Sequence, residues 1–252
     1  MAMVTTMLAV LLVVLAIAES VLLYYAATSP AVVWTVAAGV VGLTMGGLGR
    51  VVAVLPSRML GGSPDGPPLA STSQSQSRGP RSALVVLGSG GHTTEMLRLL
   101  GALNLQSYTP RTYVYAETDR MSPTKLAAFE RNRVDYVTRV IPRAREVRQG
   151  AVGTIFGSAR ALAAAVPMVL RGMPDLVLTN GPGTCIPLCI AAYIPRLLGM
   201  KRIQIVYVES ICRVTTLSMT GKLLYPFCDG FIVQWPELAA KYPEASYLGR
   251  LC

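Results

Sequence analysis

From Ala83 onward, short apolar runs alternate with stretches of helical periodicity, and that alternation leaves the chain few folds to adopt. The runs Ala83–Leu87, Arg111–Ala116, Tyr136–Ile141, Asp175–Thr179, Ile203–Val208 and Gly230–Gln234 read as strands. Thr93–Leu103, Met121–Arg131, Gly150–Leu170, Thr184–Leu198 and Thr216–Tyr225 read as the helices between them. Strands that alternate with helices predict a parallel sheet covered by helices on both faces. The strands are near-continuous apolar runs, as expected when neither face meets water. The expected fold class is therefore α/β, with one Rossmann-like parallel-sheet domain over residues 83–252. No internal repeat is found.

The chain before this domain has a different character. Hydrophobic residues make up 52% of the chain and charged residues only 14%. Met1 to Ala18 carries no charge, Glu19 interrupts, and Val21 to Gly49 is again uncharged until Arg50. A membrane-spanning helix needs about 20 apolar residues. Met3–Ala27 supplies one, ended by Pro30, and Ala31–Leu55 supplies the length for a second. Residues 1–60 are thus expected to form a membrane anchor of one or two hydrophobic helices. A cleaved signal peptide fits less well, because no positive segment precedes the apolar run. The first cations after it are Arg50, Arg58, Arg78 and Arg81, which place the domain on the cytosolic side. Residues 61–82, rich in Gly, Pro, Ser and Gln, are expected to be a disordered linker.

Charge and cysteine usage narrow the function classes. The net charge of +10 suits a membrane surface or a phosphorylated ligand. With 7% aromatics and no basic-aromatic stacking surface, the sequence does not read as a nucleic-acid binder. Cys185, Cys189, Cys212, Cys228 and Cys252 are odd in number and lack paired spacing, so free thiols are expected rather than a disulfide scaffold. His92 is the only histidine, which excludes a His-rich metal site. No metal and no cofactor are expected.

Two strand-to-helix turns carry the chemistry. The first is Leu87-Gly88-Ser89-Gly90-Gly91-His92-Thr93-Thr94-Glu95. Its glycines permit positive φ and close backbone approach, and the following helix offers free N–H groups to a phosphate. Thr93 or Thr94 can cap that helix or present a hydroxyl to the ligand. The turn is not a Walker A loop, since it lacks Gly-Lys-Ser/Thr, and its glycine spacing differs from the dinucleotide fingerprint. Glu117 and Asp119 nevertheless follow the next strand, where that fingerprint has its acid. The second turn, Thr179-Asn180-Gly181-Pro182-Gly183-Thr184, repeats the logic of strand, glycine turn and hydroxyl at a helix start. Loops at the carboxyl ends of parallel strands open on one crevice. Gly88, Ser89, Gly90, Gly91, Thr93, Thr94, Asn180, Gly181, Gly183 and Thr184 are accordingly the candidate diphosphate-binding residues. A tight turn without a ligand is the plain alternative for each.

His92 and Glu209 are the candidate catalytic residues. A neutral imidazole beside a sugar hydroxyl can act as a general base; alternatively His92 only orders the turn. Glu209 and Ser210 end the strand Ile203–Val208 and would reach the same crevice, unless Glu209 merely pairs with Arg213. The run Arg131, Arg133, Arg139, Arg143, Arg145 and Arg148 reads as a solvated face, a pyrophosphate clamp or a contact with anionic lipid.

Taken in order, Gly88-Ser-Gly-Gly-His-Thr-Thr-Glu95, Arg143-Ala-Arg-Glu-Val147, Thr179-Asn-Gly-Pro-Gly-Thr184, Tyr207-Val-Glu-Ser210 and Gln234-Trp235 resemble the asparagine-linked glycosylation protein 14 family. The resemblance covers Ala83 to Gly249. It implies the membrane-anchoring subunit of a UDP-N-acetylglucosamine (UDP-GlcNAc) transferase of dolichol-linked oligosaccharide synthesis. That complex adds the second GlcNAc to GlcNAc-diphosphate-dolichol, in an inverting β-1,4 transfer, at the cytosolic face of the endoplasmic reticulum. The resemblance further implies a soluble partner of the asparagine-linked glycosylation protein 13 family that holds UDP-GlcNAc. The domain would then equal the N-terminal half of a GT-B glycosyltransferase, with Gly88, Gly90, Gly91 and His92 facing the lipid-diphosphate acceptor. Only one α/β domain fits between Ala83 and Cys252, which leaves the nucleotide-sugar lobe to another chain and this chain inactive alone. The tail Tyr247–Cys252 is more polar than the apolar tail of that family, where the partner would dock. Two other readings remain open: a non-catalytic membrane scaffold, and a membrane-tethered Rossmann oxidoreductase.

Overall fold

The computed structural model describes residues 20, 30–55, 79–144 and 151–251. The chain divides into two units, Met1–Ala53 and Val54–Cys252. In the first, α1 (Pro30–Val54) is a helix of 25 residues. At 1.5 Å per residue it exceeds the ~30 Å hydrocarbon core of a bilayer. Pro30 opens it, as a proline at the first helical position does. The expected span Met3–Ala27 and residues 61–78 of the expected linker lie outside the described residues.

The second unit is a seven-stranded sheet in the order β3-β2-β1-β4-β5-β6-β7, with every pair parallel. Its strands are β1 (Ala83–Val86), β2 (Arg111–Ala116), β3 (Tyr136–Ile141), β4 (Leu176–Thr179), β5 (Gln204–Val208), β6 (Gly230–Val233) and β7 (Ser246–Tyr247). Its helices are α2 (Gly91–Gly101), α3 (Met121–Phe129), α4 (Ala151–Gly172), α5 (Cys185–Leu197), α6 (Met219–Leu224) and α7 (Pro236–Lys241). This is the α/β fold expected from the alternation of elements.

The period of two along each strand builds two cores. Leu84, Val86, Ile205, Tyr207, Phe231 and Val233 face one layer with α4 and α5, where Ala165, Val169 and Leu188 meet them. Val85, Leu87, Val206, Val208 and Ile232 face the other, against Met96 and Leu100 of α2 and Leu126 of α3. Gly153–Gly172 is by length and composition apolar enough to cross a membrane. In this fold it is a layer helix, with Ala161, Ala165 and Val169 wholly buried.

A buried polar knot pins the amino end of β2. The Arg111 guanidinium donates to Glu130 at 3.0 Å and to Asp135 at 2.7 Å, and Tyr113 Oη donates to Glu130. The bond from Arg111 lowers the Asp135 carboxyl to a pKa of about 2. Burial pushes the Cys189 thiol up to about 12, and Cys185 is raised for the same cause. These two thiols are free and buried, as expected, and Cys228 is buried as well.

Candidate active site

The strand order reverses direction between β1 and β4, which leave in opposite directions along the sheet. A crevice opens at such a switch point, beyond the carboxyl ends of the two strands. Both glycine turns are there. Gly88 follows β1 and is buried; a Cβ on it would meet Pro182 Cγ at 2.6 Å, so the two turns touch. Gly90 (φ 70°) and Gly181 (φ 77°) adopt the left-handed conformations that the sequence suggested for glycines. The Asn180 side-chain amide donates to His92 O at 2.8 Å and ties the second turn to the start of α2. Ser89 is exposed, while Gly90 and Gly183 are partly so.

Neither Thr93 nor Thr94 caps α2. The helix starts at Gly91, two residues earlier than the periodicity suggests, and its N-cap is Gly90 with no side-chain bond. Thr93 is fully buried, and its hydroxyl meets the Gly88 carbonyl and the Ser122 hydroxyl. Thr94 Oγ1 lies 3.4 Å from Gly90 O and accepts from Lys125 Nζ at 2.7 Å. Thr184 is the N-cap of α5, again with no side-chain cap bond. Two helices of 11 and 13 residues thus begin at the crevice with no side-chain cap over their first-turn amides. Each concentrates partial positive charge there.

The His92 imidazole packs against Gly181, where a Cβ would come within 2.4 Å of Cε1. Its Nδ1 faces Glu95 Oε2 at 3.9 Å, one helical turn on. The other oxygen of Glu95 accepts from Ser210 Oγ at 2.8 Å. The order Ser210, Glu95, His92 resembles an oriented base: a carboxylate at one ring nitrogen leaves the other for a substrate proton. At 3.9 Å the contact is an ion-pair distance rather than a hydrogen bond, and Nδ1 has no hydrogen-bond partner among the described residues. The Glu95–Ser210 contact has no local signal in the sequence, since the two residues stand 115 positions apart; the His92–Glu95 pair has its i,i+3 spacing.

Glu209 is fully buried at the end of β5. Its Oε2 accepts from Ser218 N at 2.9 Å and Ser218 Oγ at 3.1 Å, and its Oε1 from Ser210 N at 3.0 Å. No ion pair joins it to Arg213 among the described residues. Gln234 and Trp235 hold the same loop from the next strand, donating to Glu209 O at 3.0 Å and Ile211 O at 2.6 Å.

The described arginines of the run do not converge. Arg131 and Arg133 lie before the amino end of β3, and Arg133 packs over Phe129 and pairs with Glu130. Arg143 lies past the other end and donates to Thr118 at 3.1 Å. A six-residue strand separates them by roughly 20 Å. Arg145 and Arg148 lie outside the described residues. The acids of a dinucleotide fingerprint are also engaged. Asp119 accepts from Met121 N, Ser122 N and Ser122 Oγ, and Glu117 pairs with Arg160 at 2.8 Å.

The chain is 52% identical over 179 residues to the UDP-N-acetylglucosamine transferase subunit ALG14 of Homo sapiens, covering 68% of this chain and 82% of that one. It is 51% identical over 178 residues to the subunit of the same name from Mus musculus, covering 67% and 82%. Among solved structures, Acinetobacter baumannii MurG matches with a TM-score of 0.47 at 19% identity, covering 63% of this chain and 43% of that one. The family pattern described as "Oligosaccharide biosynthesis protein Alg14 like" matches residues 83–251, from the first residue of β1 past the last strand. The span that builds the sheet and both glycine turns is the span that carries the family pattern, and the chain belongs to the Alg14 family.

Proposed function

We propose that this chain is the membrane-anchoring, acceptor-binding subunit of a two-chain N-acetylglucosaminyltransferase. The observation that carries the reading is the joining of two uncapped glycine turns at the β1/β4 crevice within the family-matched domain. The acceptor is GlcNAc-diphosphate-dolichol, and its diphosphate sits on the first-turn amides of α2. UDP-GlcNAc is held across the crevice by a soluble subunit of the asparagine-linked glycosylation protein 13 family, which this chain recruits to the endoplasmic reticulum membrane. The domain acts as the N-terminal half of a GT-B enzyme and faces the cytosol. α1 contributes to the anchor.

In this reaction the acceptor sugar's 4-hydroxyl attacks the anomeric carbon of UDP-GlcNAc, that carbon inverts, and UDP departs. His92 takes the hydroxyl proton, oriented by Glu95. Glu209 shapes the loop that carries Ser210 to Glu95. Reconstitution tests the reading. Full chain plus partner is expected to transfer GlcNAc to the lipid, and neither chain alone to do so. His92→Ala is expected to lower kcat by about 10²–10⁴-fold in a normally assembled complex, the usual contribution of a general base. Robust activity of this chain by itself overturns the split-enzyme reading. Unchanged activity of assembled His92→Ala and Gly91→Ala complexes reduces the chain to a scaffold.

A further inference from the structure

The glycine turn has a cation that no local motif announces. Lys125, one turn into α3, donates from Nζ to Gly90 O at 3.1 Å and to Thr94 Oγ1 at 2.7 Å. Its position is fixed from below. Asp119 caps α3 through Met121 N and Ser122 N, the Ser122 hydroxyl contacts both Asp119 and Thr93, and Thr93 contacts Gly88 O. Ser122 and Thr93 thereby set the register between the two helices. Lys125, three residues after Ser122, then falls beside Thr94.

The electrostatics of this placement are unbalanced. Among the described residues, the buried or half-buried Arg111, Arg196 and Lys201 each have a carboxylate within 4 Å; the half-buried Lys125, like Arg81 at the other end of the sheet, has none. It stands instead beside a helix start that is itself positive and carries no side-chain cap. Across the same turn, Asn180 is 2% exposed; its amide nitrogen is bonded to His92 O while its Oδ1 has no partner among the described residues. An ammonium without a counter-ion and a buried acceptor without a donor flank one turn. A ligand with negative charge and hydroxyl donors, such as a diphospho-sugar, satisfies both.

We propose that Lys125 is the cation that binds the diphosphate of the lipid-linked acceptor. The assignment rests on the acceptor reading given above. The Gly90 carbonyl and the Thr94 hydroxyl hold the ammonium at the mouth of the turn, and its remaining N–H bond goes to a phosphate oxygen.

The test uses the full chain with its partner subunit and a short-chain lipid diphosphate-GlcNAc acceptor. Lys125→Met is expected to raise the acceptor KM by about tenfold to a hundredfold, the weight of a charge-assisted hydrogen bond. The KM for UDP-GlcNAc and the melting temperature should stay as in the wild type, and Lys125→Arg should recover most of the acceptor affinity. A second measurement needs no catalysis: inorganic pyrophosphate binding to the full chain alone, expected to weaken in Lys125→Met and to persist in Lys125→Arg. Unchanged acceptor KM together with unchanged pyrophosphate binding overturns the assignment. So does a variant in which both KM values rise together with a lower Tm and arginine gives no rescue. Lysine-dependent pyrophosphate binding without any transfer in the presence of the partner upholds the lysine and overturns the transferase reading. Normal transfer with lysine-independent binding does the reverse.

Discussion

Gly90 and Gly181 both have positive φ, yet they stand in different surroundings. A methyl on Gly90 meets nothing within 4 Å, whereas one on Gly181 meets the His92 ring. Alanine at either position carries the strain of a sparsely populated positive-φ backbone, roughly 1–3 kcal/mol. Gly181→Ala must in addition displace the imidazole. Both variants are therefore expected to show similar small losses of Tm in thermal melts, with Gly181→Ala losing far more activity than Gly90→Ala. Equal activity in the two would show that the His92 ring position is unimportant to the reaction. The glycines themselves were readable from their spacing after apolar runs. Lys125 and the Glu95–Ser210 contact were not, because they join positions 35 and 115 residues apart. Such pairs exist only once α3 packs on α2 and β5 reaches the crevice.

At the scale of elements, apolar runs located six of the seven strands, and β2 and β3 match residue for residue. The six residues of α7 and the two of β7 are too short to show a period, and the sequence marks only Pro236 at the helix start. Helix starts were less readable than strands. Threonines at 93 and 94 look like caps, but burial turns Thr93 inward to the turn and α3. Glu209 is a similar case: a carboxylate at a strand end invites a catalytic role, while its bonds join β5 to the start of α6. Ser218 caps α6 by accepting from Gly221 N at 2.9 Å, and Glu209 holds Ser218 in turn. Gln at position 209 presents an amide nitrogen where one of these acceptor oxygens stood. Glu209→Gln is expected to destabilise the domain by about 1–3 kcal/mol, the cost of a buried donor left unmade. The acceptor KM and the pH profile of the remaining folded enzyme should stay near wild type. A normal melt with a lost acidic limb in the pH–rate profile would instead make Glu209 the base.

The whole domain has one sheet and one reversal of strand order among the described residues, hence one crevice of this kind. Its walls are glycine turns, uncapped helix starts, one imidazole and Lys125, a set that suits a diphosphate and a sugar hydroxyl. A nucleotide needs more: a site for the base and an acid for the ribose, as in a dinucleotide fold. The two acids after β2 are already engaged, Asp119 in the α3 cap and Glu117 with Arg160. On the proposed reading, in which glycosyl transfer joins two substrates, a second wall supplies the nucleotide contacts. Isothermal titration of the full chain alone with UDP-GlcNAc or with NAD(P) is therefore expected to show no binding tighter than that of inorganic pyrophosphate. UDP-GlcNAc binding should appear when the partner subunit is added. Tight NAD(P) binding by this chain alone would revive an oxidoreductase, and tight UDP-GlcNAc binding by it would remove the need for a second wall. The polar knot of Arg111, Glu130 and Asp135 lies at the amino end of β2, away from the crevice, so its charges hold the sheet edge rather than a ligand. On the proposed two-chain reading, that separation leaves the carboxyl ends of β1 and β4 as the place, among the described residues, where binding and catalysis would be shared.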